Sequence, residues 1–476
     1  MTRSHLFVSL LSILLLAFLP IPAVSAETKI ATNTRINELE AKVRMLEGRL
    51  QDVDARYQED WLNERRSEEI KTLIDEVLID ANKRTSFMQE GLWPGNFDGK
   101  FFLASGDGKF RININGLTQV QYIANQQNGR LASTGGNTQH GFEIRRARFY
   151  VHGHFIDPAI GYRLQFETSP LRQGDVFTQE AYGSYMFNDQ WKIMVGLMKL
   201  PFLREQLSPA SGLLAVDRAV VTNLFDLGRE VQVQIQHFNK DFRAYAAIST
   251  GTRIDTGGIP PRGYYPIGTD STNLTLTARI DWKPYGDWEL QYQNVALAGE
   301  ANTLMIGAAI NYQLGNSSVS DILPNFPGNA NYLSFTVDGA LDQDNWHIDA
   351  AFTGAFLRNV NGELESRNMF GALVEGGYLF KKKYQPFMRY SWLDADIPGS
   401  DPISALTFGA NIYYHDQNLK WSTDLVWFFE GDVFNALQIS PFGQPIFNRI
   451  FGFGGATGSF SDNNFIAIRT QFQILF

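Results

Sequence analysis

The stretch FIAIRTQFQILF, residues 465–476, decides the fold class by its alternation. Counting back from its end, Phe476, Ile474, Phe472, Thr470, Ile468 and Ile466 fall on one side of a strand. Gln473, Gln471, Arg469 and Ala467 fall on the other, and Leu475 breaks the pattern at the tip. Successive side chains of a strand point to opposite faces, so one face here is apolar and the other polar. Two folds use such a strand: a membrane barrel, between lipid and a wet lumen, and a β-sandwich, between core and bulk solvent.

The same period recurs upstream. Glu230, Gln232, Gln234 and Gln236 alternate with Val231, Val233 and Ile235. Thr275, Thr277, Arg279 and Asp281 alternate with Leu274, Leu276, Ala278, Ile280 and Trp282. Ser334, Thr336 and Asp338 alternate with Leu333, Phe335 and Val337, and Thr407, Gly409 and Asn411 with Leu406, Phe408, Ala410 and Ile412. Tryptophan placement separates barrel from sandwich. Trp191, Trp282, Trp288, Trp346 and Trp421 all lie close to short turns, as a girdle of indoles at one membrane interface requires. Short turns also alternate with long segments at 125–140, 199–228, 251–271 and 430–464, the asymmetry of outer-membrane barrels. The expectation is an all-β transmembrane barrel of about 16 antiparallel strands, or 18 if Trp288 to Ala296 forms a full strand, preceded by an α-helical coiled coil. Closure of the barrel removes the unpaired edges that so many strands would otherwise expose.

The remaining composition narrows the class. Residues 1–26 read as a signal peptide: Arg3, an apolar run from Leu6 to Leu19, then Pro20, Pro22 and the small residues Val24-Ser25-Ala26. No later stretch reaches the roughly 18 to 20 apolar residues of a membrane helix. With no cysteine, disulfides and thiolate metal sites drop out. The formal charge of -9, with no basic tract, argues against a nucleic-acid partner. Between 27 and 90 the period changes. Ile36, Leu39, Val43, Leu46, Leu50, Val53 and Tyr57 are spaced three and four apart, a coiled-coil seam with charged flanks. Arg35-Ile36 with Leu39-Glu40, and Arg49-Leu50 with Val53-Asp54, resemble the pattern that specifies three-stranded coils; the alternative is one amphipathic helix folded on its own chain. The division expected is 1–26 signal, 27–90 periplasmic coiled coil, 91–109 linker and hairpin, and 110–476 barrel.

Three segments carry a resemblance. The terminal strand with its last aromatic resembles that of bacterial outer-membrane barrels, where it is an assembly signal, which implies barrel-assembly machinery as a partner. GFEIRRARFYVHGHF, 141–155, runs through Asp157-Pro158 into GYRLQFE, 161–167. VGLMKLPFLREQL, 195–207, is followed by Asp217-Arg218, Phe225 and Gly228-Arg229-Glu230. Together these resemble the phosphate-selective porin O and P family of Gram-negative outer membranes. The resemblance implies a trimeric sixteen-stranded barrel in outer-membrane lipid, with a water-filled pore narrowed by an inward segment, here about 200–227. It also implies pore-lining arginines and a lysine cluster that attracts anions.

Arg146 and Arg148 share a strand face with Tyr150, His152 and His154, whereas Arg145 counts onto the apolar face and so should lie near a strand end. Arg163, Arg279, Arg389 and Arg469 also fall on polar faces. A guanidinium facing lipid at the midplane costs about 2–4 kcal/mol, which places these in the lumen. With Arg204, Arg218 and Arg229 of the 195–230 block they are the candidate anion contacts. The opposing reading pairs them with carboxylates such as Glu143, Glu167, Glu180, Glu230 and Asp281, so that they brace the wall. The lysine cluster is missing: residues 91–476 hold 10 Lys and 19 Arg against 35 acids. No catalytic set, cofactor or metal site is read; His152 and His154 lack a visible third ligand. The function expected is passive diffusion of small hydrophilic solutes, anions or other polar molecules, through an outer-membrane porin that is not an enzyme. The rivals are a phosphate or polyphosphate channel, and an envelope tether whose coiled coil reaches the cell wall.

Overall fold

The computed structural model describes residues 41–42, 44–45, 92–97, 100–126, 138–168, 176–249, 272–288, 302–315, 330–359, 366–396, 401–431 and 465–476. The chain divides into two units, Met1–Ser86 and Phe87–Phe476. In the first, residues 41–42 and 44–45 are helical and exposed. The rest of the coiled-coil reading, and the signal peptide, fall outside the described residues.

The second unit is built from β1 (Leu92–Phe97), β2 (Lys100–Ser105), β3 (Arg111–Gln126), β4 (Thr138–Phe155), β5 (Asp157–Thr168), β6 (Val176–Met186), β7 (Trp191–Lys199), β8 (Arg229–Phe238) and β9 (Phe242–Ser249). It continues through β10 (Thr272–Tyr285), β11 (Thr303–Gly315), β12 (Ala330–Gln343), β13 (Trp346–Asn359), β14 (Arg367–Tyr378), β15 (Tyr384–Asp394), β16 (Ile403–His415), β17 (Leu419–Glu430) and β18 (Phe465–Leu475). From β3 onward each strand pairs antiparallel with the next, and β18 returns to β3 through Ile466↔Gln126 to Leu475↔Leu117. Sixteen strands therefore close a barrel. β10 pairs directly with β11, Asp281↔Gly307 among them, so the described ring has sixteen strands; most of the further strand expected from Trp288 to Ala296 lies outside the described residues. The hairpin β1–β2 adds to its rim, with β2 pairing the first residues of β3, Phe102↔Asn113 to Ala104↔Arg111.

The seam is locked at its end. Phe476 exchanges two backbone hydrogen bonds with Gly116, at 2.8 and 3.0 Å, and lays its ring over that residue. A Cβ on Gly116 would strike the Phe476 ring where it now lies, so the bare backbone lets the ring rest there.

Polarity runs opposite to that of a soluble protein. Val233, Ile248, Ile280, Val337 and Val374 are about half exposed, while Glu230, Gln232, Thr275, Arg279, Ser334 and Arg469 are buried. An apolar belt outside and polar side chains inside suits strands with lipid on one side. Trp191, Trp282 and Trp346 project from this belt beside tight turns. Two of the turns run through paired left-handed residues, Asp344-Asn345 and Lys381-Lys382, which suits the twist of the strands they join.

Candidate functional site

The segment 200–228, between β7 and β8, is almost entirely buried and runs among the polar faces of the strands. It holds two short helices, Arg204–Leu207 and Val220–Phe225. Its apolar part, including Phe202, Leu203, Val221, Leu224 and Phe225, packs in one cluster with Ala309, Leu357, Met369, Leu393, Ala405 and Phe428 of the wall. Gly371 makes room for the second helix, since a Cβ there would lie 2.6 Å from Val221 Cγ1 and 2.9 Å from Phe225 Cε2.

The polar part is clamped by ion pairs and by donors aimed at its backbone. Arg204 donates to Asp349 at 2.8 Å. Arg389 meets Glu375 and Glu205 at 2.6 and 2.8 Å, and donates to the Asp217 carbonyl at 2.8 Å. Arg279 donates to the Phe202 carbonyl at 2.6 Å and to Asp338 through both Nη atoms at 2.7 and 2.8 Å. It reaches Asp338 across β11 because the intervening residue is Gly307, where a Cβ would collide with its Nη2. Arg469 forms a two-point pair with Asp424, whose Oδ2 also accepts from the Val216 amide at 3.0 Å. Lys420 donates to the carbonyls of Ser211 and Leu213. Arg218 turns back on the segment and donates to the carbonyls of Glu205 and Ser208.

Arg145 corrects the alternation count. It is not at a strand end. β4 carries a bulge opposite Gln119/Val120, so Arg145 and Arg146 both turn inward and grip Asp217 at 2.7 and 2.8 Å. An extra residue in one strand shifts the phase of everything beyond it, which is how two adjacent arginines come to share one face. Burial alone would raise the Asp217 carboxyl, but Arg145 and Arg146 outweigh it and hold it well below the usual carboxylate range. At Glu205 the balance is reversed: burial prevails over Arg389, Glu375 adds repulsion, and the carboxyl is pushed up.

Beside the segment, against the β4–β8 wall, lies a cavity of about 320 Å³. Of the candidate arginines, Arg148, Arg163 and Arg229 line it; Arg146, Arg204, Arg218, Arg279, Arg389 and Arg469 do not. Those six bond to the segment or to carboxylates of the wall. Within the cavity, Arg148 donates to Glu167 at 3.2 Å. Glu180 lies between Arg163 and Arg229, at 2.8 and 2.9 Å. Lys199, also in the lining, donates to the carbonyls of Leu207 and Ser208. Three guanidinium groups and Lys199 thus face two carboxylates, a surplus of at least one positive charge. His152 and His154 are engaged with Asn115 and the Gly108 carbonyl.

Residues 117–265 match the family model described as phosphate-selective porin O and P. The barrel is porin-like in fold. Its fold is similar to that of an anion-selective porin from Comamonas acidovorans, with 10% identity, 77% of this chain and 99% of that chain covered, and a TM-score of 0.52. It is likewise similar to OmpF of Salmonella typhi, solved as a complex with daunomycin, with 12% identity, coverage of 77% and 98%, and a TM-score of 0.50. No curated protein matches the sequence.

Sequence reasoning missed Lys199 and Lys420. Lys199 closes β7 immediately after Met198, where alternation gives no clear face. Lys420 alternates with Leu419 and Trp421, and that spacing was a usable signal for an inward cation.

Proposed function

We propose that this protein is an outer-membrane porin whose eyelet, between the β4–β8 wall and segment 200–228, passes small hydrophilic solutes down their gradients and favours anions. The observation that carries the preference is the charge surplus of Arg148, Arg163, Arg229 and Lys199 over Glu167 and Glu180. Fixed positive charge at a constriction lowers the barrier for an anion and raises it for a cation. The same fold in an anion-selective porin supports this reading. A phosphate-selective channel is less well supported, because Lys199 is the lone lysine in the described lining. The family resemblance further supports a homotrimer, with 27–90 as a periplasmic coiled coil and no covalent chemistry in the barrel. Swelling of vesicles reconstituted with the purified full chain tests the permeability directly. Entry of a pentose with exclusion of a trisaccharide is the expected result, and vesicles as tight as protein-free ones would refute it.

A further inference from the structure

The eyelet is two-sided in chemistry as well as charged. Arg148, Arg163 and Arg229 reach it from β4, β5 and β8, whereas Leu475 of β18 and Leu207 and Pro209 of segment 200–228 bring apolar surface to the same cavity, with Met198 of β7 among them. Its volume of about 320 Å³ suits one small organic molecule. A strongly hydrated inorganic anion entering this space must exchange its water for donors on every side. Leu207, Pro209 and Leu475 offer no side-chain donor, the Lys199 ammonium beside them is already bonded to the Leu207 and Ser208 carbonyls, and on the basic side Glu167 and Glu180 already take up part of the guanidinium capacity. An anion with a charged head and an apolar body meets both surfaces: the head is forked by a guanidinium, and the body leaves water against Leu207, Pro209 and Leu475.

We propose that the eyelet selects organic monoanions with an apolar body, the medium-chain monocarboxylates, over inorganic anions and over short carboxylates. This deepens the porin reading above and rests on it.

The test is block of the single-channel chloride current of the full chain in planar bilayers by hexanoate, acetate and inorganic phosphate, each titrated separately. Hexanoate is expected to half-block at a concentration at least about tenfold below that of acetate, because its added methylenes lie on the apolar side. Leu207→Ser should shrink that preference to within about twofold. Pro209→Ser, at an exposed position, supplies a second variant with the same expected direction if the first fails to assemble. Equal block by hexanoate and acetate, or stronger block by phosphate than by either, would overturn the inference while leaving the porin reading standing. A hexanoate preference unchanged in both variants would overturn the assignment to these residues. Absence of any current steps would overturn both readings together.

Discussion

Asp217→Asn is the most telling single perturbation of the clamp. Asp217 is the shared partner of Arg145 and Arg146, whose side chains are 18% and 4% exposed. Asparagine keeps the shape and can still accept from the Arg218 amide, which now bonds to Oδ1 at 3.0 Å. It leaves two guanidinium groups facing each other across a neutral amide. Removing one partner of a buried ion pair costs about 3–5 kcal/mol. At about 1.4 kcal/mol per factor of ten, that shifts the docking equilibrium of the polar arm near 208–218 by about two to three and a half orders of magnitude. The arm is not freed outright, because Asp424 still accepts from Val216 and Lys420 still donates to Ser211 and Leu213. The expected outcome is a folded barrel with a larger and noisier open-channel current and a stronger anion preference, since a carboxylate has left the lumen. Single-channel recording of the variant beside the parent reads all three. Conductance, noise and zero-current potential all equal to the parent's, in a correctly folded preparation, would refute the clamp.

Other perturbations probe other parts of the same account. Gly371→Leu drives a side chain into Val221 and Phe225, so the helix Val220–Phe225 should leave its seat, and vesicle swelling should admit larger sugars than the parent does. Val337→Arg puts a cation on the outward face of β12 and should destabilise the folded barrel by about 2–4 kcal/mol in urea titrations. Glu205 provides a pH prediction. Its carboxyl is raised in the folded state, so the docking stability it contributes is complete below the ordinary carboxylate range and is lost as pH rises through the elevated value. Open-channel noise should therefore grow on going from pH 4 to pH 7.5, and Glu205→Gln should flatten that dependence.

Much of the barrel was legible because alternation reports polarity directly. The set Arg469, Gln471 and Gln473 against Ile466 and Ile474 is divided in space as it is in sequence. Sixteen strands followed from turn placement, since short turns such as Asp344-Asn345 hold neighbouring strands in register. The eyelet was harder to read. Alternation placed Arg279, Arg389 and Arg469 on polar faces correctly, but a face does not reveal what occupies the lumen. Arg279 and Arg389 also bond to the Phe202 carbonyl and to Glu205, which come from a segment far away in sequence, and only the tertiary fold shows which guanidinium groups are consumed. Arg145 was misphased for a local reason: a bulge inserts one residue and leaves no mark in residue type. Gly307 and Gly371 could not be interpreted at all from sequence, because their meaning is the side chain that passes over each of them.

Anion preference in this barrel comes from the positive surplus at the eyelet. A unit anion about 6 Å from one to two net charges gains roughly 0.7–1.4 kcal/mol in a water-filled passage, and a cation loses as much, before screening. The zero-current potential of the full chain across a planar bilayer in a KCl gradient measures this balance most directly. An anion-signed potential whose size falls as total salt rises is expected; a potential of zero, or one of cation sign, would contradict a positive eyelet.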